Sequence, residues 1–182
     1  MSEMFSRRVF LRGLGVVAAA AALTACSSTN EAVNQALIEG AVGGIVAADC
    51  KIGRMTYWAA NATVPVNEIS FRIVMTNVSS KPVTLSGDNF ATTLDGTPIP
   101  PFNFSARDVG DADIWRTYDS LTIRPGEERS VALAYEISQP TYDSWYSSSR
   151  TVAVSFTCGN QRVTYTKNSR SDEITVSDIE TL

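Results

Sequence analysis

The sequence predicts an all-β domain, an immunoglobulin-like antiparallel β-sandwich of about seven to nine strands, preceded by an apolar N-terminal segment and a short tether. Three observations carry this expectation. From residue 45 onward, apolar side chains recur at every second position in short runs. Turn signals separate the runs: Ser79-Ser80-Lys81-Pro82, Asp95-Gly96, Pro125-Gly126 and Gly159-Asn160. The only helical pattern precedes them, at residues 31–38, and Gly40, Gly43 and Gly44 end it.

In chain order, Val46, Ala48, Cys50 and Ile52 are expected on one face of a first strand, which residues 55–58 continue or follow. Residues 68–77 alternate with Ile69, Phe71, Ile73 and Met75 on one side. A single apolar face fits an antiparallel sheet packed on one side only. Residues 83–85 form a short strand, and residues 90–94 lead into the Asp95-Gly96 hairpin signal. Residues 98–113 read as a loop, with Pro98, Pro100 and Pro101 against few alternating positions. Residues 120–124 are a strand stopped by Pro125-Gly126, a pair suited to a type II turn. Val131, Leu133, Tyr135 and Ile137 mark the next inward face, and residues 139–149 a second loop rich in Tyr, Ser and Trp. Val152, Val154, Phe156 and Cys158 share the following face, then Val163 and Tyr165, and finally Ile174 and Val176 in an edge strand.

The N-terminal stretch has a different physical logic. Ser6-Arg7-Arg8-Val9-Phe10-Leu11-Arg12 precedes residues 13–25, an uncharged run mostly of Ala, Gly and Val that leads through Leu23-Thr24-Ala25 to Cys26. As a helix this run spans roughly 20 Å against about 30 Å of hydrocarbon, too short for a good permanent span. The arginine segment resembles a twin-arginine export signal, departing only at Arg12, where Lys is usual. Leu23-Thr24-Ala25-Cys26 resembles a bacterial lipobox. The resemblance implies that Arg7 and Arg8 direct export, that residues 1–25 are removed, and that Cys26 is acylated as the first mature residue. The implied organisation is a lipoprotein signal peptide at 1–25, a lipidated Cys and tether at 26–44, and the sandwich at 45–182. A diacylglycerol supplies the two chains that stable attachment needs, so the membrane is a partner through the lipid. The residue after Cys26 is Ser27, not Asp. This fits an extracytoplasmic protein on the outer membrane of a double-membraned cell, or on the outer face of a single membrane.

A second resemblance covers roughly residues 69–137. Phe71-Arg72-Ile73-Val74-Met75-Thr76-Asn77, Lys81-Pro82-Val83-Thr84-Leu85 and Leu121-Thr122-Ile123-Arg124-Pro125-Gly126-Glu127-Glu128-Arg129-Ser130-Val131 carry it. The segment is similar to a broad group of extracytoplasmic bacterial lipoproteins with an immunoglobulin-like sandwich, mostly of unknown function. The shared residues are turn and core chemistry, so the resemblance implies the fold and brings no catalytic residues.

Composition narrows the chemistry. Removing residues 1–25 takes Arg7, Arg8, Arg12 and Glu3 from the 15 basic and 19 acidic residues, leaving 12 and 18, a net of −6. A mildly acidic domain without a basic run is a poor nucleic-acid binder. The chain has no histidine, which removes Ser-His-Asp and Cys-His catalysis and the ordinary zinc and copper sites. No cofactor and no enzyme activity are expected. Cys50 and Cys158, left once Cys26 is lipidated, are expected to form a disulfide. It would close a loop of about 109 residues and contribute about 4–5 kcal/mol in the chain-entropy model. The alternative is two buried free thiols.

Three groups of residues could carry a site. Phe102, Phe104, Trp115 and Tyr118 flank one loop, and Tyr142, Trp145 and Tyr146 sit in the other. If both loops meet at one end, these rings form a binding platform. The alternative is that they cap the core. Asp108, Asp111 and Asp113 offer oxygen ligands for Ca²⁺ but do not match an EF-hand, and a solvated acidic loop suits them better. Asp88 and Asp95 are a carboxylate pair beside turn residues, and a glycosidase needs such a pair across a cleft. The expectation is a membrane-anchored extracytoplasmic lipoprotein acting as a protein-binding or envelope-assembly module with an envelope protein partner. The alternative is a small-ligand or glycan-binding module using the aromatic loops.

Overall fold

The computed structural model describes residues 41–57, 63–101, 103–108 and 116–182. The helical pattern at 31–38, the export segment and Cys26 lie outside the described residues. The described residues contain thirteen strands in two antiparallel sheets and one two-stranded ribbon. They are β1 (Ile45–Tyr57), β2 (Val66–Asn77), β3 (Val83–Leu85), β4 (Phe90–Leu94), β5 (Thr97–Ile99), β6 (Asn103–Asp108), β7 (Arg116–Thr117), β8 (Leu121–Ile123), β9 (Glu128–Glu136), β10 (Thr151–Cys158), β11 (Gln161–Asn168), β12 (Ile174–Val176) and β13 (Glu180–Thr181). One sheet has the order β1-β2-β9-β6-β7, and the other β12-β11-β10-β4-β5 with β13 also on β11. The ribbon pairs β3 with β8. The count exceeds the expected seven to nine because β3, β5, β7, β8, β12 and β13 are only two or three residues long.

The inner faces follow the alternation in the sequence. Ile69, Phe71, Ile73 and Met75 of β2 and Val131, Leu133 and Tyr135 of β9 are buried from one side. Val152, Val154 and Phe156 of β10 and Val163 and Tyr165 of β11 are buried from the other. Ring contacts join the layers: Phe71 lies 5.6 Å from Tyr165 and 6.1 Å from Phe90, while Phe90 stacks on its cross-strand neighbour Phe156 at 5.1 Å within one sheet. Each such ring contributes about 1.5–3 kcal/mol of burial.

β1 departs from a plain period of two. Ile45 and Ala47 are buried rather than Val46 and Ala48, yet Cys50 and Ile52 are buried too. The pairing register jumps from Ala48↔Val74 to Lys51↔Arg72, and Asp49 has φ 50. This β-bulge places two residues opposite one and switches the inward phase mid-strand. Residues 98–113 are not a plain loop either. β6 runs between β9 and β7, with Phe104 and Ala106 buried. The second loop contains a short helix, α1 (Gln139–Asp143), started by Ser138, whose hydroxyl accepts from the Thr141 N–H at 3.4 Å.

Turns fall where the sequence signals them. Asp95 and Gly96 have φ 51 and 79, both left-handed as a type I′ hairpin requires. A buried side chain locks the turns at 77–82 and 124–127. Asn77 is fully buried, and its Nδ2 donates to the carbonyls of Lys81 and Ile123, each at 2.8 Å. Its Oδ1 accepts from the Ser79 N–H at 2.9 Å and the Ser79 hydroxyl at 2.7 Å. Its backbone bonds Glu127 and Gly126. The Asn, Lys-Pro and Pro-Gly-Glu residues are therefore one hydrogen-bonded node, with every polar atom of the Asn77 side chain satisfied.

The expected Cys50–Cys158 disulfide is absent; both are free, buried thiols. The Cys158 Sγ lies 3.8 Å from the Gly43 carbonyl, before β1 begins. Cys50 is five residues beyond the start of β1, more than about 15 Å further along an extended strand. A bridge needs Cα atoms within about 7 Å. Shared inward phase put both thiols in the core but at different levels of it.

Candidate functional site

The two sheets give the sandwich two poles. The first holds residues 42–45, the Asn77 node, the Gly159-Asn160 turn and the Leu182 N–H, which donates to Asn160 O. The second holds the far ends of β1, β2 and β9, helix α1, the Asp95-Gly96 turn and residues 168–172.

The second pole is built around residues 138–150, which cross from β9 to β10. Three arginines hold this crossing from three directions. Arg54 of β1 donates from Nη1 to the Tyr142 carbonyl at 2.7 Å. Arg150 donates to the Ser144 hydroxyl at 2.9 Å. Arg170, between β11 and β12, donates to the Ser147 carbonyl. Ser169 donates to the Ser148 carbonyl at 3.2 Å, Asn168 to the Ser149 hydroxyl at 2.6 Å, and Asn67 to the Gln139 side chain at 2.7 Å. The crossing is therefore fixed from β1, β2 and the turn after β11.

Arg54 also organises the rings. Its guanidinium lies 4.2 Å from the centroid of Tyr142 and 4.4 Å from that of Tyr146, which fixes its plane by cation–π contact. Among the described residues neither Arg54 nor Arg170 has a carboxylate partner. Arg150 does: its Nη1 meets Asp95 at 2.7 Å. That hydrogen bond, with a second from the Thr151 N–H, holds the Asp95 carboxyl below its usual range. On β2, burial pushes the Glu68 carboxyl up, with Arg72 pulling the other way. Burial likewise raises the thiols of Cys50 and Cys158, which makes them poor nucleophiles.

The aromatic residues separate into distinct roles. Tyr142 and Tyr146 converge on Arg54, with Tyr142 half-buried and Tyr146 at 61% exposure. Trp145 is only 2% exposed and packs in the core. Phe104 is also a core residue, 6.2 Å from Phe90, and Tyr118 packs against the same core. Phe102 and Trp115 lie outside the described residues. Arg54 was not among the expected site residues, although it continues the inward phase of Cys50 and Ile52.

Asp111, Asp113 and the Asp108 side chain lie outside the described residues. Among the described residues no three His, Cys, Asp or Glu side chains converge as metal ligands. No helix among them is long and apolar enough to cross a membrane. Asp88 and Asp95 do not form a pair. Asp95 bonds Thr151, while Asn89 beside Asp88 bonds the Thr157 carbonyl, six residues along β10 or about 20 Å.

The chain matches no protein-family profile and no curated protein. Several solved structures are similar to it. The yjhA protein from Bacillus subtilis is 16% identical with a TM-score of 0.39, over 63% of this chain and 74% of its own. An uncharacterised β-sandwich protein from Clostridium difficile 630 is 12% identical with a TM-score of 0.41, over 74% and 84%. A functionally unknown protein from Listeria monocytogenes EGD-e is 11% identical with a TM-score of 0.38, over 63% and 66%. The chain itself is an all-β, antiparallel sandwich.

Proposed function

We propose that this chain is a lipid-anchored extracytoplasmic protein whose sandwich serves as a protein-binding or envelope-assembly module. The observation that carries the reading is the polarity of the domain. The described chain enters at Val42, beside Cys158 and the Asn77 node. The clamped crossing with Arg54 and Tyr146 stands toward the other end of β1 and β2: Arg54 pairs with Ile69, eight residues along β2 from Asn77, or about 27 Å. A domain tethered through Cys26 presents that far pole outward. Arg7 and Arg8 supply export, and acylation of Cys26 supplies the anchor.

The module is non-enzymatic in this reading. The sequence has no histidine, the thiols are buried, and Asp88 and Asp95 stand far apart. A glycan platform is the weaker alternative, because Trp145 and Phe104 belong to the core. Metabolic palmitate labelling with membrane fractionation tests the anchor. Wild-type protein is expected in the membrane fraction with label, and Cys26→Ser in the soluble fraction without it. Co-purification from detergent-solubilised membranes tests the module. A partner retained by wild type and lost from Tyr146→Ala supports it. Label-free wild type, or membrane-bound Cys26→Ser, counts against the anchor; a partner insensitive to position 146 counts against the module.

A further inference from the structure

We propose that the far-pole crossing docks an acidic segment of a protein partner, with Arg54 and Arg170 meeting its carboxylates. This rests on the module reading for the existence of a partner. The observation behind it is the contrast among the three arginines that clamp residues 142–147. Arg150 has Asp95 as its counter-charge. Arg54 and Arg170 each give an N–H to a loop carbonyl and, among the described residues, have no carboxylate.

A guanidinium carries five N–H donors in a rigid fork matched to carboxylate geometry. One bond to Tyr142 O leaves Arg54 most of that fork, and the Tyr142 and Tyr146 rings fix its plane. Such a group loses little further freedom on binding. Tyr146 adds an exposed ring beside it, and Arg and Tyr are among the residue types that dominate interface energetics. The net charge of −6 expected for residues 26–182 disfavours acidic partners over the surface at large, whereas Arg54 and Arg170 bring two cations to one loop. Neighbouring acids are engaged in part: Asp143 accepts from Gln139 at 2.7 Å, and Asp172 lies 4.0 Å from Lys167, while Glu173 stands exposed nearby. A protein segment fits better than a sugar. Sugar stacking needs open ring faces, whereas Arg54 covers one face each of Tyr142 and Tyr146 and Trp145 is buried.

The test is NMR of the full chain in non-ionic detergent, titrated with a short Glu/Ser peptide, its Gln/Ser counterpart and polygalacturonate. The expected result is movement of the Arg54 and Arg170 Nε–Hε resonances with the Glu/Ser peptide alone. Binding should weaken several-fold between about 0.05 M and about 0.3 M salt. Arg54→Gln/Arg170→Gln should bind about tenfold more weakly. Arg170→Gln alone, at an exposed position that leaves the Arg54 stack in place, should lose part of that affinity, with the unfolding midpoint lowered only slightly by loss of the bond to the Ser147 carbonyl. No movement at either arginine, an equal response to both peptides, or a response only to polygalacturonate would overturn the proposal. These outcomes do not depend on Cys26, so failure of the anchor and failure of the docking site are separable.

Discussion

Replacing Asn77 by Asp changes one atom and tests the node that joins β2 to both of its turns. The Asn77 side chain is buried and makes four hydrogen bonds, two as donor and two as acceptor. The bond from the Ser79 N–H survives the change, because Oδ1 remains. The two donor bonds do not, because an oxygen now faces the Lys81 and Ile123 carbonyls. Each lost bond costs about 0.5–1.5 kcal/mol, and a buried carbonyl left unpaired about 1–3 kcal/mol. The single Ser79 hydroxyl proton can turn from Oδ1 to Lys81 O at 2.8 Å, so the heavier loss falls on Ile123 O. The expected cost is about 2–4 kcal/mol near neutral pH. It should shrink below about pH 4, where a protonated carboxyl regains one donor. Urea unfolding followed by tryptophan fluorescence measures this directly. Ser79→Ala, which keeps the backbone N–H bond to Oδ1, should cost only about 1 kcal/mol. Loss of less than about 1 kcal/mol in Asn77→Asp, or a cost independent of pH, would refute the reasoning.

Asp95 and Glu68 predict opposite pH signatures. The folded Asp95 carboxyl is held low by Arg150, so its contribution is present above the unfolded value and lost as pH falls through the folded one. Asp95→Asn should therefore lower stability at about pH 7, by about 0.5 kcal/mol given its partial exposure, and match wild type in strong acid. The folded Glu68 carboxyl is raised by burial, so its contribution is full below the unfolded value and lost as pH rises through the folded one. Glu68→Gln should therefore raise the urea midpoint at about pH 7 and leave it unchanged at about pH 3.5. Iodoacetamide labelling under denaturing, non-reducing conditions should modify both Cys50 and Cys158. In folded protein both should react slowly, with Cys158 faster at 8% exposure against 1% for Cys50. Gly43→Ala should destabilise strongly, because φ is +58 and the new Cβ would lie 2.5 Å from the Cys158 Sγ.

The inner faces of β2, β9, β10 and β11 were legible because one buried face imposes a period of two over seven or more residues. β1 kept an apolar alternation through a bulge, so Val46 and Ala48 looked inward while Ile45 and Ala47 are buried. Nothing in the residue types announces the left-handed Asp49 that switches the phase. β6 was illegible because its inward residues are only Phe104 and Ala106, flanked by prolines and polar residues. Its place comes from pairing with β9, a non-local event. The shared inward phase of the two cysteines placed them in the core but could not give their level along the strands. Tyr142 and Tyr146 were visible as loop aromatics. Their organiser, Arg54, lies 88 residues before Tyr142 and becomes a site residue only through the tertiary fold. Trp145 resembled its neighbours in sequence and separates from them by burial alone.

The most direct test of the central claim is in-cell photo-crosslinking from position 146 at the far pole, compared with position 160 at the tether pole. Both positions are exposed. Selective adducts from position 146 to one envelope protein, reduced in Arg54→Gln/Arg170→Gln, are the predicted result. Adducts equally strong from position 160, or none from position 146, would contradict an outward-facing recognition pole.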